Sequence, residues 1–158
     1  MHRSLLLTTL LSAALLTACG SSTDGRAPTP YRLDGVWGGV LNDQGVDFAA
    51  VAIDVTTTGG GSTGTVSGYG VLLDEDSEVY LNVTGTTRPG SVDLTLTDAY
   101  DDSIFVSANV EGQVLRGTWR YPSLAMSGSM RMAEEENIDL LAMRGTRGQG
   151  RLADMMPR

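Results

Sequence analysis

The sequence has 158 residues, 41% of them hydrophobic and 19% charged, a length that suits one domain better than two. Acidic residues number 19 against 11 basic ones, all of them Arg, for a formal net charge of −8. Because nucleic-acid binding needs surplus positive charge to replace phosphate counterions, this balance excludes a nucleic-acid-binding protein.

The chain begins with a predicted export signal. His2 and Arg3 provide a short basic start, and the twelve residues 5–16 are mainly apolar. Twelve helical residues span about 18 Å, which is well short of the ~30 Å hydrocarbon core of a bilayer. The length therefore predicts a signal peptide and not a transmembrane helix.

The signal ends in Leu16-Thr17-Ala18-Cys19, which resembles the lipobox of bacterial lipoproteins. The resemblance implies cleavage before Cys19, a diacylglycerol on its sulfur and an acyl chain such as palmitate on its new amine, with no other cofactor. In that family Gly20 after the cysteine implies the outer membrane, facing the periplasm or the cell surface. The alternative is an ordinary secretory signal with a chance cysteine, although Cys19 is the only cysteine and has no disulfide partner within the chain.

Composition divides the chain into four segments. Residues 1–18 are the signal peptide, and residues 19–30 hold the lipidated cysteine and a flexible tether of small and polar residues. Residues 31–144 are predicted to fold. Residues 145–158 show no hydrophobic period, which predicts a flexible tail.

The folded region alternates apolar and polar residues with the period of a β-strand. The clearest run is 91–98, in which Val and Leu alternate with Asp and Thr. The other predicted strands cover residues 33–41, 48–58, 63–73, 79–84, 104–110, 114–121 and 126–133. Because short turns separate the runs, neighbouring strands are predicted to pair as antiparallel hairpins.

Eight short strands with one apolar face each need a shared core. The sequence therefore predicts an all-β fold, a small antiparallel up-and-down β-barrel of eight to nine strands, with a β-sandwich as the alternative. Glycines inside the strands are expected to mark bends and close approaches. The ninth element, 133–145, has the charge order and final glycine of a short C-terminal helix, yet residues 138–142 alternate, which favours a strand.

A second resemblance lies on the first strand. Gly35-Val36-Trp37 is similar to the Gly-x-Trp that opens calycin barrels, the group that includes lipocalins. The resemblance implies that the Trp37 indole closes one end of the barrel, covered by a late arginine. Arg131 and Arg144 are the candidates for that cation–π contact. The alternative is a core tryptophan beside a bend glycine.

The mature chain lacks the usual catalytic side chains. The single His precedes the cleavage site and Lys is absent, so the usual Ser-His-Asp, Cys-His and Lys chemistries are excluded and no enzyme is expected. Carboxylates remain, and an inward Asp54 near a second acid could support glycoside hydrolysis. The alternative is an outward Asp54.

Two acidic turns contain the oxygen ligands that Ca²⁺ prefers. The first turn contains Asp74, Asp76 and Glu78, and the second spans residues 98–102. Neither turn has the spacing of an EF-hand loop. The alternative explanation is that charged hairpin tips keep the protein soluble.

Three functions remain open from the sequence. The first is a non-catalytic barrel that binds a small apolar ligand or an envelope protein, which predicts a cavity at the end opposite Trp37. The second is a structural or protein-interaction module, or an inhibitor of a secreted enzyme, with a packed barrel and an acidic surface that favours a basic partner. The third is a carboxylate-based hydrolase.

Overall fold

A computed structural model describes residues 31–74, 77–135 and 150–156 of the chain. Within these residues, eight antiparallel strands follow one another around a closed barrel, and pairing of the first strand with the last completes it. The strands are β1 (Gly35–Asp43), β2 (Val46–Thr58), β3 (Gly64–Leu73), β4 (Glu78–Arg88), β5 (Ser91–Thr97), β6 (Ser103–Glu111), β7 (Val114–Tyr121) and β8 (Met126–Glu134). A short helix α1 (Leu152–Met155) follows.

Alternating burial along the strands confirms the all-β prediction. In β5 the buried residues are Val92, Leu94 and Leu96, and the residues between them are only partly buried. The predicted limits differ most at β4, which continues to Arg88 beyond the expected end at 84. The inward positions there are Gly85 and Thr87, so the apolar pattern stops before the strand does.

Six inward glycines allow neighbouring strands to approach closely: Gly39, Gly68, Gly70, Gly85, Gly117 and Gly128. A Cβ at Gly117 would overlap the main-chain oxygen of Ser107 and the Cα of Ala108 on β6. Glycine is therefore required by space at this position, and the strand can bend sharply over its neighbour. The expectation that strand glycines mark close approaches is confirmed here.

The alternating strand directions create two ends of the barrel. The "Trp37 end" holds residues 31–34 and the turns that follow β2, β4 and β6. The "Asp98 end" holds α1 and the turns that follow β1, β3, β5 and β7. A single apolar core runs between the two ends and includes Leu33 at one and Leu152 at the other.

The segment 31–34 closes the Trp37 end. Leu33 is fully buried, and its N–H donates to the Thr57 hydroxyl at 2.8 Å. The Thr57 N–H donates in turn to the Asp34 carboxylate at 2.6 Å. Tyr31 lies edge-on to Trp37 with ring centroids 6.4 Å apart. Trp37 is thus buried at this end beneath the chain's own N-terminal segment.

The C-terminal segment closes the Asp98 end. Leu152, Met155 and Met156 are buried and belong to the barrel core. The prediction of a flexible tail is therefore wrong for residues 150–156, which extend the barrel domain beyond its predicted limit. The described helix is α1, so it lies after the expected 133–145 element, most of which is outside the described residues.

Candidate functional site

The barrel interior is occupied by the protein's own side chains. Inward residues of all eight strands join one core with the residues that close the two ends. The first functional hypothesis predicted a cavity opposite Trp37, but Leu152, Met155 and Met156 fill that end. The expected cavity inside the barrel is therefore filled at that end by the described residues, although a surface pocket of about 690 Å³ lies beside them, lined partly by Leu124, Met126 and Met156.

Asp98 attaches the C-terminal segment to the β5–β6 turn. Its side chain is almost completely buried, and one carboxylate oxygen accepts the N–H groups of Tyr100 and Asp102 at 2.8 and 3.0 Å. The other oxygen accepts the Leu152 N–H at 3.1 Å. The Arg151 guanidinium lies over the Tyr100 ring at 4.4 Å. This acidic turn, a calcium candidate from sequence, therefore serves as an anchor.

The other calcium candidate is the turn that contains Asp74, Asp76 and Glu78. Glu78 is buried, and its carboxylate accepts a hydrogen bond from the Tyr80 hydroxyl at 2.6 Å. Asp74 lies at the turn after β3, and Asp76 is outside the described residues. Across residues 31–74, 77–135 and 150–156, no group of three His, Cys, Asp or Glu side chains is placed to hold a metal ion.

Asp54 faces outward. It is partly buried on β2, and its neighbours Ile53 and Val55 both belong to the core. Because successive side chains of a strand point to opposite faces, Asp54 lies on the outside of the barrel. The inward interpretation is wrong, and the hydrolase hypothesis loses the carboxylate on which it depended.

Arg131, one of the two arginines expected to cover Trp37, does not do so. Arg131 is exposed and lies between the buried residues Met130 and Met132, so it points away from the interior. It pairs in register with Val40, three residues beyond Trp37 on β1. Arg144 is outside the described residues, as is Cys19.

A groove of about 820 Å³ runs over the outer face of β5 to β8. Its outward side chains include Thr95, Phe105, Ser107, Thr118, Arg120 and Ser127. They alternate along their strands with core residues such as Leu94, Val106 and Trp119. A volume within the ~300–1,000 Å³ range of small-molecule sites makes this groove the candidate functional site.

Phe105 and Arg120 form the most distinctive pair in the groove. They are cross-strand partners on β6 and β7, and the guanidinium carbon lies 4.8 Å from the ring centroid. Among the described arginines, Arg32, Arg88, Arg116 and Arg151 each have a carboxylate partner. Arg120 has no such partner among the described residues, so its N–H groups remain available to a ligand.

The opposite corner of the groove carries a compensated negative charge. The Asp93 carboxylate accepts a hydrogen bond from the Ser107 hydroxyl at 2.6 Å and contacts the Arg88 guanidinium at 3.0 Å. The ion pair is solvent-exposed and contributes at most about 1 kcal/mol to stability. Its main consequence is local: Arg88 offsets the charge of Asp93 beside the groove.

The described side chains with shifted pKa values, Tyr31, Asp34 and Tyr121, lie at the ends of the barrel and outside the groove. The Thr57 N–H holds the pKa of the Asp34 carboxyl below its usual range, with Arg32 assisting. Burial raises the pKa of the Tyr121 hydroxyl, and the nearby Asp102 carboxylate adds to the effect. These shifts belong to the closing contacts of the barrel.

Sequence reasoning missed the groove because it searched the inward positions. Phe105 and Arg120 fall at outward positions of two different strands and are 15 residues apart in the chain. Only the pairing register of β6 with β7 brings them together. An aromatic residue at an outward position of a strand was the available signal.

The comparison of the chain with protein-family models, curated proteins and solved structures found no match. In the part of the chain that the structure describes, no helix is long and apolar enough to cross a membrane. Function must therefore be inferred from the chemistry of the barrel surface.

Proposed function

We propose that this protein is a non-catalytic, lipid-anchored lipoprotein of the cell envelope that binds an envelope component through the outer surface of its barrel. The filled interior carries the proposal. An internal ligand would have to displace Leu152, Met155 and Met156, which belong to the core. The working surface is therefore the outside of the barrel.

The anchor is the diacylglycerol and acyl group expected on Cys19, in the outer membrane. Several acyl chains give stable membrane attachment, whereas one chain gives only marginal binding. The twelve residues 19–30 would span at most about 43 Å when fully extended. A tether of that length lets the barrel reach components close to the membrane that holds it.

The absence of catalysis is supported by the side chains available. The mature chain has neither His nor Lys. Asp54, the carboxylate that the hydrolase hypothesis required inside the barrel, lies on its outer face. Among the described residues, the buried Asp98 carboxylate is occupied by backbone N–H groups.

Palmitate labelling in bacteria tests the anchor. We expect the full-length protein to incorporate labelled palmitate and to partition into the detergent phase of Triton X-114, whereas Cys19→Ser does neither. A Cys19→Ser/Ser22→Cys variant is the matched control, since it keeps one cysteine but moves it out of the lipobox. Label in either variant, or none in the wild type, would contradict the proposal.

A fluorescent apolar probe tests the filled interior. We expect 1-anilinonaphthalene-8-sulfonate to show no saturable fluorescence increase with the native protein, because the core is occupied by the chain itself. Truncation after residue 149 removes the closing segment and is expected to produce that increase. Stoichiometric binding of the probe to the intact native chain would favour an internal-ligand function.

A further inference from the structure

We propose that the outer groove over β5 to β8 binds a saccharide that bears a single carboxylate, with Arg120 as the residue that pairs with the carboxylate. The inference deepens the proposed function and rests on the assignment of binding to the outer surface. It starts from the order of side chains across the four strands.

The register places the groove side chains in two parallel rows. The first row runs across the strands as Thr95, Phe105, Arg120 and Ser127. The second row runs as Asp93, Ser107 and Thr118. Adjacent strands are about 4.8 Å apart, so the first row extends for about 14 Å and the second for about 10 Å. The groove is thus long enough across the strands for a short oligosaccharide.

Arg120 is prepared to bind a planar anion. The Phe105 ring lies 4.8 Å from the guanidinium carbon and restricts the orientation of the Arg120 side chain. The exposed N–H groups of a guanidinium match the two oxygens of a carboxylate in a bidentate pair. With no acidic partner among the described residues, Arg120 has this geometry to offer to a ligand.

The remaining side chains suit a ligand rich in hydroxyl groups. Ser107 and Thr118 are exposed neighbours in the second row, and Ser127 is the partner of Arg120 in the first. The Thr118 and Ser127 hydroxyls can both donate and accept a hydrogen bond, as sugar hydroxyls also do, whereas the Ser107 hydroxyl donates to Asp93 and can accept from a ligand. The partly buried Phe105 adds an apolar surface beside Arg120. Hydroxyls and one aromatic ring therefore surround Arg120 within the groove.

Other classes of ligand fit the groove less well. The barrel is closed, so it offers no strand edge to which an extended peptide could add. A polyanion would meet Asp93 at one corner and a chain with a net charge of −8. A basic ligand would find the Asp93 charge already offset by Arg88. A saccharide with one carboxylate would pair with Arg120 at one corner of the groove and would place no second charge beside Asp93 at the other.

Isothermal titration of the full-length protein tests the assignment. The ligands are trisaccharides with one terminal uronate on two neutral xylose, glucose or galactose units, each compared with its fully neutral counterpart. We expect saturable binding of at least one uronate, about tenfold tighter than its neutral form, because the carboxylate adds a charged hydrogen bond that the neutral form lacks.

Arginine variants locate the binding site. Arg120→Gln is expected to lower the affinity for the uronate about tenfold and to leave the affinity for the neutral sugar unchanged. Arg131→Gln makes the same change in net charge on the exposed outer face of β8 and is expected to leave both affinities unchanged. Arg120→Lys, which keeps the charge but loses the planar pairing, should fall between wild type and Arg120→Gln. Circular dichroism verifies that each variant is folded.

Three results would overturn the inference. They are absence of saturable binding across the uronate panel, equal losses in Arg120→Gln and Arg131→Gln, and equal affinity for a triglutamate peptide. Absence of uronate binding together with normal palmitate labelling would contradict the saccharide proposal and leave the lipid-anchor proposal intact. Failed labelling with intact uronate binding would do the reverse, so the two proposals fail separately.

Discussion

At the scale of single residues, space decides where glycine is indispensable. Gly117 is an inward position of β7, where a methyl group would overlap the backbone of Ser107 and Ala108. Backbone atoms cannot move aside as a flexible side chain can. The chain therefore contains two kinds of glycine: those in turns, and those in strands where a neighbouring strand leaves no room for a side chain.

Gly117→Ala is expected to lower the free energy of unfolding by about 3 kcal/mol or more, because the added carbon must force β6 and β7 apart. Urea denaturation followed by circular dichroism measures the change. Gly60→Ala is the control, since that loop glycine has open space around it and ordinary backbone angles. Its effect should stay within about 0.5 kcal/mol. Equal stability of the two variants would show that the strand crossing tolerates a side chain.

Which residues face inward was predictable, and which outward residues meet was not. Alternation identified Val92, Leu94 and Leu96 as one buried face of β5. The contact of Phe105 with Arg120 depends on the register of two strands. A shift of one residue in that register would send one of them to the other face, and the sequence alone does not determine it.

At the scale of elements, strands were predictable because each exposes its period over many residues. The segment 150–156 was not, since α1 is only one turn long, and the three-residue spacing of Leu152 and Met155 is too short to establish a period. They are buried because they fill the opening at the Asp98 end of the barrel. Asp98, 54 residues away in sequence, completes the attachment through the Leu152 N–H.

Leu152→Ala tests whether this segment belongs to the fold. Leu152 is fully buried, so the variant is expected to lose about 3 kcal/mol of unfolding free energy. Leu124→Ala is the matched control at the same end of the barrel, because Leu124 is 49% exposed and should change stability by less than about 0.5 kcal/mol. A Leu152→Ala variant as stable as Leu124→Ala would show that the C-terminal segment is not part of the cooperative structure.

At the scale of the whole molecule, closure of the barrel and a shared core join the barrel and its two end segments into one structural unit. Pairing of β1 with β8 leaves every strand with two neighbours, and one apolar core joins Leu33 to Leu152. No boundary within that core separates the two ends. We therefore expect the Trp37 end and the Asp98 end to unfold together, in one two-state transition.

The two tryptophans provide independent reports on this cooperativity. Trp37 lies at one end, and Trp119 lies near the other, where its indole N–H donates to the Asn42 carbonyl at 3.1 Å. Trp37→Phe leaves Trp119 as the only tryptophan, and Trp119→Phe leaves Trp37. In each variant, the fluorescence midpoint in urea should coincide with that variant's own circular dichroism midpoint, even though the two variants differ in stability. If the fluorescence transition of one variant precedes its loss of β-structure, the end that holds its remaining tryptophan opens independently. The outer groove would then lie on a barrel whose two ends differ in stability.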